Sequence, residues 1–110
     1  MYFIENMKNL TKKYLTIIRH GKSSWIHDVS DMERPLKNRG IADVILVSET
    51  YKQLKLIPEI IYSSPAKRAF NTAEIFLKNI ELSDKKIHVN SQLYDFQGDN
   101  LVNLIASIPN

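Results

Sequence analysis

The spacing of apolar residues alternates along the chain between strand-like runs and helix-like patterns. Residues 14–18 are almost continuously apolar, as expected for a parallel strand buried on both faces. Shorter strands are predicted at 59–62 and 86–89. Helical spacing of apolar positions occupies 37–55, the segment after Ser64, and the end of the chain. This β-α-β-α-β-α order predicts an α/β sheet with right-handed crossovers.

Each predicted helix has one apolar face. The first presents Ile41, Val44, Ile45, Tyr51 and Leu54. The second follows a strand-to-helix junction in which Ser64 is the predicted N-cap and Pro65 the first helical residue. Its predicted buried face consists of Ala69, Ala73, Phe76, Leu77 and Ile80. The third presents Leu101, Leu104, Ile105 and Ile108 before Pro109.

The length and the residue types exclude several classes of protein. A chain of 110 residues allows one domain, predicted over 14–110, with residues 1–13 as an N-terminal extension of unknown role. The absence of cysteine excludes disulfides, thiolate zinc sites and a cysteine nucleophile. His27 and His88 lack the spacing of metal ligands, so no metal site is predicted. No apolar run is long enough to span a bilayer and no secretion signal is recognisable, which favours a cytoplasmic protein without a membrane partner.

The positive charge of the chain indicates an anionic partner. The formal net charge is +3 and the isoelectric point is about 9.2. The basic residues are spread along the chain and interrupted by acids, whereas nucleic-acid binders usually cluster them on one element. We therefore predict no nucleic-acid partner. The balance suits a phosphorylated substrate instead.

The polar residues directly after the first strand carry the candidate chemistry. Arg19, His20 and Gly21 follow the apolar run, and the carboxyl ends of strands are where open α/β sheets bind their ligands. A neutral imidazole can attack phosphorus and carry the phosphoryl group as a covalent intermediate. A guanidinium group matches the geometry of phosphate oxygens, and a glycine lets backbone approach closely. His20 is the predicted nucleophile.

Three blocks of sequence resemble the histidine phosphatase (phosphoglycerate mutase-like) superfamily. The first is Arg-His-Gly-Lys-Ser-Ser-Trp at 19–25, which is most similar to the small bacterial phosphohistidine phosphatases. The second is Asp-Met-Glu-Arg-Pro-Leu at 31–36 with the Arg-Gly pair at 39–40. The third is Ser-Ser-Pro-Ala-Lys-Arg-Ala at 63–69 with the Thr-Ala pair at 72–73. The resemblance implies a three-layer sandwich, with helices flanking a mostly parallel sheet, and no cofactor.

Five side chains besides His20 are predicted to serve the site. Arg19 and Arg68 are the expected oxygen clamps, since each can donate two parallel hydrogen bonds to a phosphoryl group. Ser23 is expected to contact substrate. Arg34 either contacts substrate at the rim or ties its loop to Asp31 or Glu33. Asp95 occupies the place where the family carries a catalytic glutamate, and the resemblance implies that it is the general acid.

The resemblance also implies a second essential histidine, usually in a Gly-His pair after a later strand. The chain ends at Asn110, where that strand should begin, so the sequence resembles the first two-thirds of a complete domain. Loss of one phosphate donor commonly costs about 10²–10³ in turnover. We therefore expect impaired activity from these 110 residues. The sequence leaves open whether they are a truncated or a natural form, and it does not predict an oligomeric state.

The predicted function is a phosphatase that forms a phosphohistidine intermediate on His20. No inserted cap is recognisable, and an open site suits a phosphorylated protein side chain, with phosphohistidine as the expected substrate. One alternative is a small-molecule phosphatase or a mutase, although Lys22 stands where mutases tend to have an acid. Another is an impaired phosphate-binding module without turnover.

Overall fold

Four strands and two helices make up the part of the chain that the computed structural model describes, which is residues 2–6, 13–26, 28–94 and 106. In chain order the elements are β1 (Tyr2–Asn6), β2 (Lys13–Ile17), α1 (Asn38–Gln53), β3 (Pro58–Ser63), α2 (Lys67–Asn79) and β4 (Ile87–Val89). Short 3-10 turns occupy Asp31–Glu33 and Ser91–Tyr94. The α/β class is confirmed. The four apolar positions of the predicted third helix lie outside the described residues.

The sheet has the strand order β2-β1-β3-β4. β3 and β4 are parallel, and β1 is antiparallel to both of its neighbours. Strands β2, β3 and β4 consequently point in the same direction, and only β1 runs against them. Tyr2 is paired with both Ile17 and Tyr62, so the carboxyl ends of β2 and β3 lie one strand apart, or roughly 10 Å. Residues that follow these two strands are therefore neighbours.

Two expectations about the first 18 residues of the chain are corrected by this topology. The pattern assigned no element to residues 1–13, yet β1 lies inside the sheet. A strand of five residues acquires its stability from its partners, which local spacing does not reveal. The expected burial of residues 14–18 on both faces is also wrong, because β2 is at the sheet edge. Leu15 and Ile17 are 44% and 58% exposed.

The two helices pack against each other and against β3 around one apolar core. Its buried members are Val44 and Tyr51 of α1, Ile61 of β3, and Ala73, Phe76 and Leu77 of α2. The predicted buried face of α2 is largely confirmed, with Ile80 partly buried. On α1 the prediction was less accurate, since Ile45 and Leu54 are exposed and Ser48 is buried. Neither described helix is long and apolar enough to cross a bilayer.

The start of α2 differs from the prediction by two residues. The helix begins at Lys67, and Ala66 rather than Ser64 is its N-cap. The Ser64 hydroxyl still accepts a hydrogen bond, from the Ala66 N–H at 3.2 Å. Pro65 therefore belongs to the turn that leads into the helix.

Backbone contact between two glycines fixes the loop after β2 against the start of α1. The Lys37 N–H donates to the Lys22 carbonyl at 2.8 Å, and Gly40 packs directly on the backbone of Lys22. A Cβ atom on Gly21 would lie 2.7 Å from the Gly40 carbonyl oxygen. Real Cβ atoms do not approach backbone oxygen this closely, so both positions require glycine. The loop is held from one side by this contact.

Replacing Gly40 by alanine is expected to destabilise the protein by about 1–3 kcal/mol, because the new methyl group meets the Lys22 backbone. Helix propensity alone predicts the opposite sign, since alanine in a helix is favoured over glycine by about 1 kcal/mol. Urea unfolding of Gly40→Ala measures the change, with Gln53→Ala at an exposed position of α1 as the control. A more stable Gly40→Ala protein would contradict the packing.

Candidate active site

A cavity of about 680 Å³ opens at the carboxyl end of β2 and is lined by residues of both α1 and α2. Its polar lining is mainly basic, with Arg19, His20, Lys22, Arg34, Lys37 and Arg68 against Asp31 and Asp43. Apolar residues from both helices, including Val44 and Phe76, form part of the wall. An excess of cations in a partly apolar cavity attracts anions and strengthens each interaction with them.

His20 lies in this cavity, half-buried, with its ring orientation fixed by the backbone. Nδ1 is 2.7 Å from the Gly21 carbonyl oxygen. A carbonyl oxygen can only accept, so Nδ1 carries the proton, and the neutral ring leaves its lone pair on Nε2. Burial lowers the pKa of His20 below its usual value of 6.5, the bond to Gly21 opposes this, and the charges of Arg68 and Arg19 lower the pKa further. The neutral, nucleophilic form is favoured.

Arg68 enters the cavity from the first turn of α2 and is 96% buried. Its Nη1 donates to the Asp31 carbonyl oxygen at 2.6 Å, and Nη2 donates to Asp31 Oδ2 at 3.1 Å. Its Nε is buried and has no hydrogen-bond partner among the described residues. One buried nitrogen of the guanidinium group thus lacks a partner among the described residues.

Asp31 connects this arginine to two other side chains. Arg34 Nε donates to Oδ1 at 3.0 Å, and the Tyr94 hydroxyl donates to Oδ2. The Tyr94 hydrogen bond is the main reason that the pKa of Asp31 falls to about 2; partial burial opposes it, and Arg68 and Arg34 add to it. The same contact raises the pKa of Tyr94. Asp31 is an anion at neutral pH.

Arg34 braces the loop from inside. It is buried, and its Nη1 donates to the Ser23 hydroxyl at 3.0 Å. The guanidinium carbon lies 3.3 Å from the centre of the exposed Trp25 ring, a cation–π contact. Ser23 is buried and pairs with Leu36 across an isolated antiparallel bridge. These contacts favour the structural alternative for Arg34, although it still lines the cavity.

Thr72 attaches the loop that carries His20 to α2. Its hydroxyl donates to the Arg68 carbonyl at 2.7 Å and accepts from the Gly21 N–H at 3.1 Å. The side chain is fully buried. The loop that carries His20 is therefore held on one side by α1 and on the other by α2.

Most of the predicted site residues line this one cavity. Arg19, His20, Ser23, Arg34 and Arg68 all do so, Arg19 with an exposed side chain. Asp95 and His27 lie outside the described residues. His88 is exposed on β4, where its ring lies 5.5 Å from that of Tyr62, away from the cavity.

Three residues of the site were not predicted in their present roles. Asp31 was considered only as a partner of Arg34, and its bond to Arg68 spans 37 residues of sequence. Thr72 was noted only as part of the third sequence block, and Tyr94 was assigned no role. The sequence signal available for Thr72 was its position four residues after Arg68, which places both side chains on the same face of α2. Within the described residues, no group of three or more acidic or histidine side chains could hold a metal ion.

The model of the histidine phosphatase superfamily (branch 1) matches residues 15–104. The chain belongs to this superfamily. The match covers the strand that leads to His20, the loop, both helices and β4. The predicted family and its fold are confirmed.

Relatives of known structure support the fold of this superfamily member. It superposes with a TM-score of 0.73 on an Agrobacterium tumefaciens protein assigned as the phosphohistidine phosphatase SixA, with 23% identity over 82% of this chain and 58% of the other. A protein histidine phosphatase SixA complexed with tungstate gives a TM-score of 0.63 and 29% identity, over 69% and 47% of the two chains.

Curated relatives match a shorter part of the superfamily domain. A 2,3-bisphosphoglycerate-dependent phosphoglycerate mutase of Bifidobacterium longum is 33% identical over 66 residues, which are 57% of this chain and 27% of the mutase. An uncharacterized chloroplastic protein of Arabidopsis thaliana is 40% identical over 60 residues, 53% of this chain and 27% of the other. The chain thus covers about a quarter of the length of these relatives.

Replacing Thr72 by valine keeps the side-chain shape and leaves the Gly21 N–H without its acceptor. We expect a loss of about 1–3 kcal/mol in the free energy of unfolding, the usual cost of an unpaired buried donor. Thr50→Val is the matched control, because the Thr50 hydroxyl is exposed and, among the described residues, its hydrogen bond is a long one to the Leu46 carbonyl at 3.5 Å. Chemical denaturation compares the two, and equal losses would contradict the role of Thr72.

Proposed function

We propose that the chain acts as a phosphatase that transfers a phosphoryl group from its substrate to His20. The observation that carries the proposal is the meeting of a half-buried imidazole, with its pKa lowered, and two arginines in one cavity. A histidine in that setting is uncharged at neutral pH and faces a site suited to anions. These are the properties that nucleophilic attack on phosphorus requires.

The proposed reaction has two steps. Nε2 of His20 forms a bond to phosphorus while the bond from phosphorus to the leaving group breaks in line with it. The leaving group takes a proton, for which Asp95 is the proposed donor. Asp95 directly follows Tyr94 in the sequence, and the Tyr94 hydroxyl donates to Asp31, which lines the cavity. Water then attacks the phosphohistidine and returns a proton to the Asp95 carboxylate while the bond from Nε2 to phosphorus breaks. Inorganic phosphate leaves, and the neutral imidazole is regenerated.

Arg19 and Arg68 are the proposed ligands of the phosphoryl oxygens. The negative charge on these oxygens must be stabilised throughout the transfer, and preorganised donors in a partly dry site do this most effectively. Arg68 is buried, while Arg19 is exposed at the mouth and keeps more freedom. Ser23 is a further proposed contact for the substrate. It lines the cavity, and its hydroxyl accepts a hydrogen bond from Arg34 Nη1 at 3.0 Å.

A protein phosphohistidine is the proposed substrate. Trp25 and Ile26 are 73% and 87% exposed beside the cavity, and such apolar surface suits contact with another protein. Two structural relatives are SixA proteins, named as histidine phosphatases. A leaving imidazole also demands less of a general acid than an alcohol does, which fits an aspartate in this place.

A sugar-phosphate mutase is the second candidate, favoured by the 33% identity to a phosphoglycerate mutase. Lys22 counts against this candidate, because it stands where mutases tend to have an acid. It is exposed at the cavity and adds a positive charge there. A mutase must also return the phosphoryl group to a second hydroxyl of the same metabolite. Formation of free phosphate, rather than an isomerised product, separates the two reactions.

Labelling with radioactive phosphoramidate tests the nucleophile. We expect an acid-labile, base-stable adduct on the native chain and its complete loss in His20→Asn. His88→Asn is the matched control, since His88 is exposed on β4 and does not line the cavity. An adduct that survives in His20→Asn would refute the proposal. Affinity for phosphate without any adduct would favour the binding-module alternative.

The protonation of His20 is expected to control the rate of this labelling. Because burial and the two arginines lower the pKa of His20, the ring is neutral until the pH falls below 6.5. The labelling rate should therefore decline only under acidic conditions, with a midpoint below 6.5. Removal of one charge in Arg19→Gln should move the midpoint upward, whereas Lys85→Gln, on a remote exposed turn, should not. Titration of the ring by NMR gives the same midpoint, and a value above 6.5 would contradict the expected environment.

A further inference from the structure

We infer that Asp31 is the positioning residue of the anion site: it holds one edge of the Arg68 guanidinium group and leaves the other edge for the phosphoryl group. The inference rests on the proposed function in one respect, that the anion bound there is the group transferred to His20. It assigns to Asp31 an effect exerted through Arg68 rather than through contact with substrate.

A guanidinium group has two edges that can each bind two oxygens in parallel. One edge is formed by Nη1 and Nη2, and the other by Nε and Nη2. Asp31 occupies the first edge with two oxygens of one residue, its backbone carbonyl on Nη1 and its carboxylate on Nη2. The plane of the Arg68 head group is thereby fixed.

The second edge contains the donor that the described protein does not satisfy. Nε of Arg68 is buried and has no hydrogen-bond partner in the part of the chain that the structure describes. An unpaired buried donor is costly, and native proteins rarely retain one without a use for it. Arg68 lines the same cavity as His20 and its charge acts on the imidazole. A phosphoryl oxygen bound along this edge would satisfy Nε beside the nucleophile.

Asp31 is itself held from two other directions. Arg34, three residues later in the loop, donates to Oδ1, and Tyr94, after β4, donates to Oδ2. The carboxylate therefore cannot rotate away without breaking bonds to separate elements. A long side chain such as Arg68 would otherwise lose considerable rotamer freedom on binding an anion. Because the network already orders the Arg68 side chain when the protein folds, this entropy is not lost again when substrate binds.

The positioning role and a simple charge effect predict opposite changes in anion affinity when the charge of Asp31 is removed. Removing a negative charge beside an anion site should strengthen anion binding if charge alone matters. If Asp31 positions Arg68, Asp31→Asn should weaken binding, because a neutral amide holds the guanidinium less firmly. Glu33→Gln is the matched control: it removes one acid from the same 3-10 turn, where Glu33 is exposed and outside the cavity.

Calorimetric titration with inorganic tungstate, a phosphate-like oxyanion, measures the effect. We expect Asp31→Asn to weaken tungstate binding about tenfold or more, the usual scale for charge-assisted hydrogen bonds, and Glu33→Gln to leave it unchanged or slightly tighter. Unchanged or tighter binding by Asp31→Asn would overturn the inference.

A double-mutant cycle then tests whether Asp31 acts through Arg68. In an Arg68→Ala background, Asp31→Asn should have no further weakening effect, because the residue that it positions is absent. An equal loss in both backgrounds would overturn the inference and would indicate a general structural role. Thermal unfolding of each variant accompanies the titrations. Should Asp31→Asn fail to fold, Tyr94→Phe decides the matter: it removes one support of the carboxylate and should weaken binding in the same direction, only where Arg68 is present.

The labelling of His20 separates this inference from the proposed function. Tungstate binding that depends on Asp31 through Arg68, without any phosphoryl adduct on His20, would support the positioning role and refute the phosphatase. An adduct on His20 whose formation and whose tungstate competition are both insensitive to Asp31→Asn would refute the positioning role and leave the phosphatase standing. A native chain that binds no tungstate at all would overturn the inference.

Discussion

The site depends on the close packing of one loop between two helices. The backbone of Gly21 and Lys22 lies against Gly40 of α1 at a distance that admits no side chain, and Thr72 of α2 binds the Gly21 N–H from the other side. His20 precedes this clamped segment and donates its Nδ1 proton to the Gly21 carbonyl. The position of Nε2 is therefore set by backbone contacts. The packing that stabilises the fold therefore also orients the proposed nucleophile.

The two arginines of the cavity differ in how their positive charges are stabilised. Arg19 is exposed, and solvent screens its charge, while Arg68 is buried and its charge is balanced by the Asp31 carboxylate. A buried cation without a counterion would be severely destabilising. Asp31 is the counterion that offsets this penalty. Burial, and after it the charges of Arg68 and Arg19, still lower the pKa of His20 and favour the neutral imidazole. The acid stabilises the arginine without suppressing its effect on the histidine.

Sequence reasoning succeeded where local pattern and motif determine structure. The bounds of α1, β3 and β4 and the buried face of α2 follow from periodicity, and His20, Arg19 and Arg68 follow from motif and strand direction. It failed for β1 and for the edge position of β2, because strand pairing is a long-range property that a five-residue run does not encode. The bonds of Asp31 to Arg68 and Tyr94 were likewise beyond reach, since they join residues 37 and 63 positions apart. Asp95 stays a prediction.

The contact between Trp25 and Arg34 gives the molecule an optical reporter of its own. The chain has a single tryptophan, and its indole lies on a guanidinium group that belongs to the same network as Asp31 and Arg68. Indole emission responds to the charge and the solvent exposure of its surroundings, and this ring is both largely solvent-exposed and in van der Waals contact with a cation. Rearrangements of the arginine network are thereby coupled to a fluorescence signal, so that events in the cavity can be followed in the native chain without an attached dye.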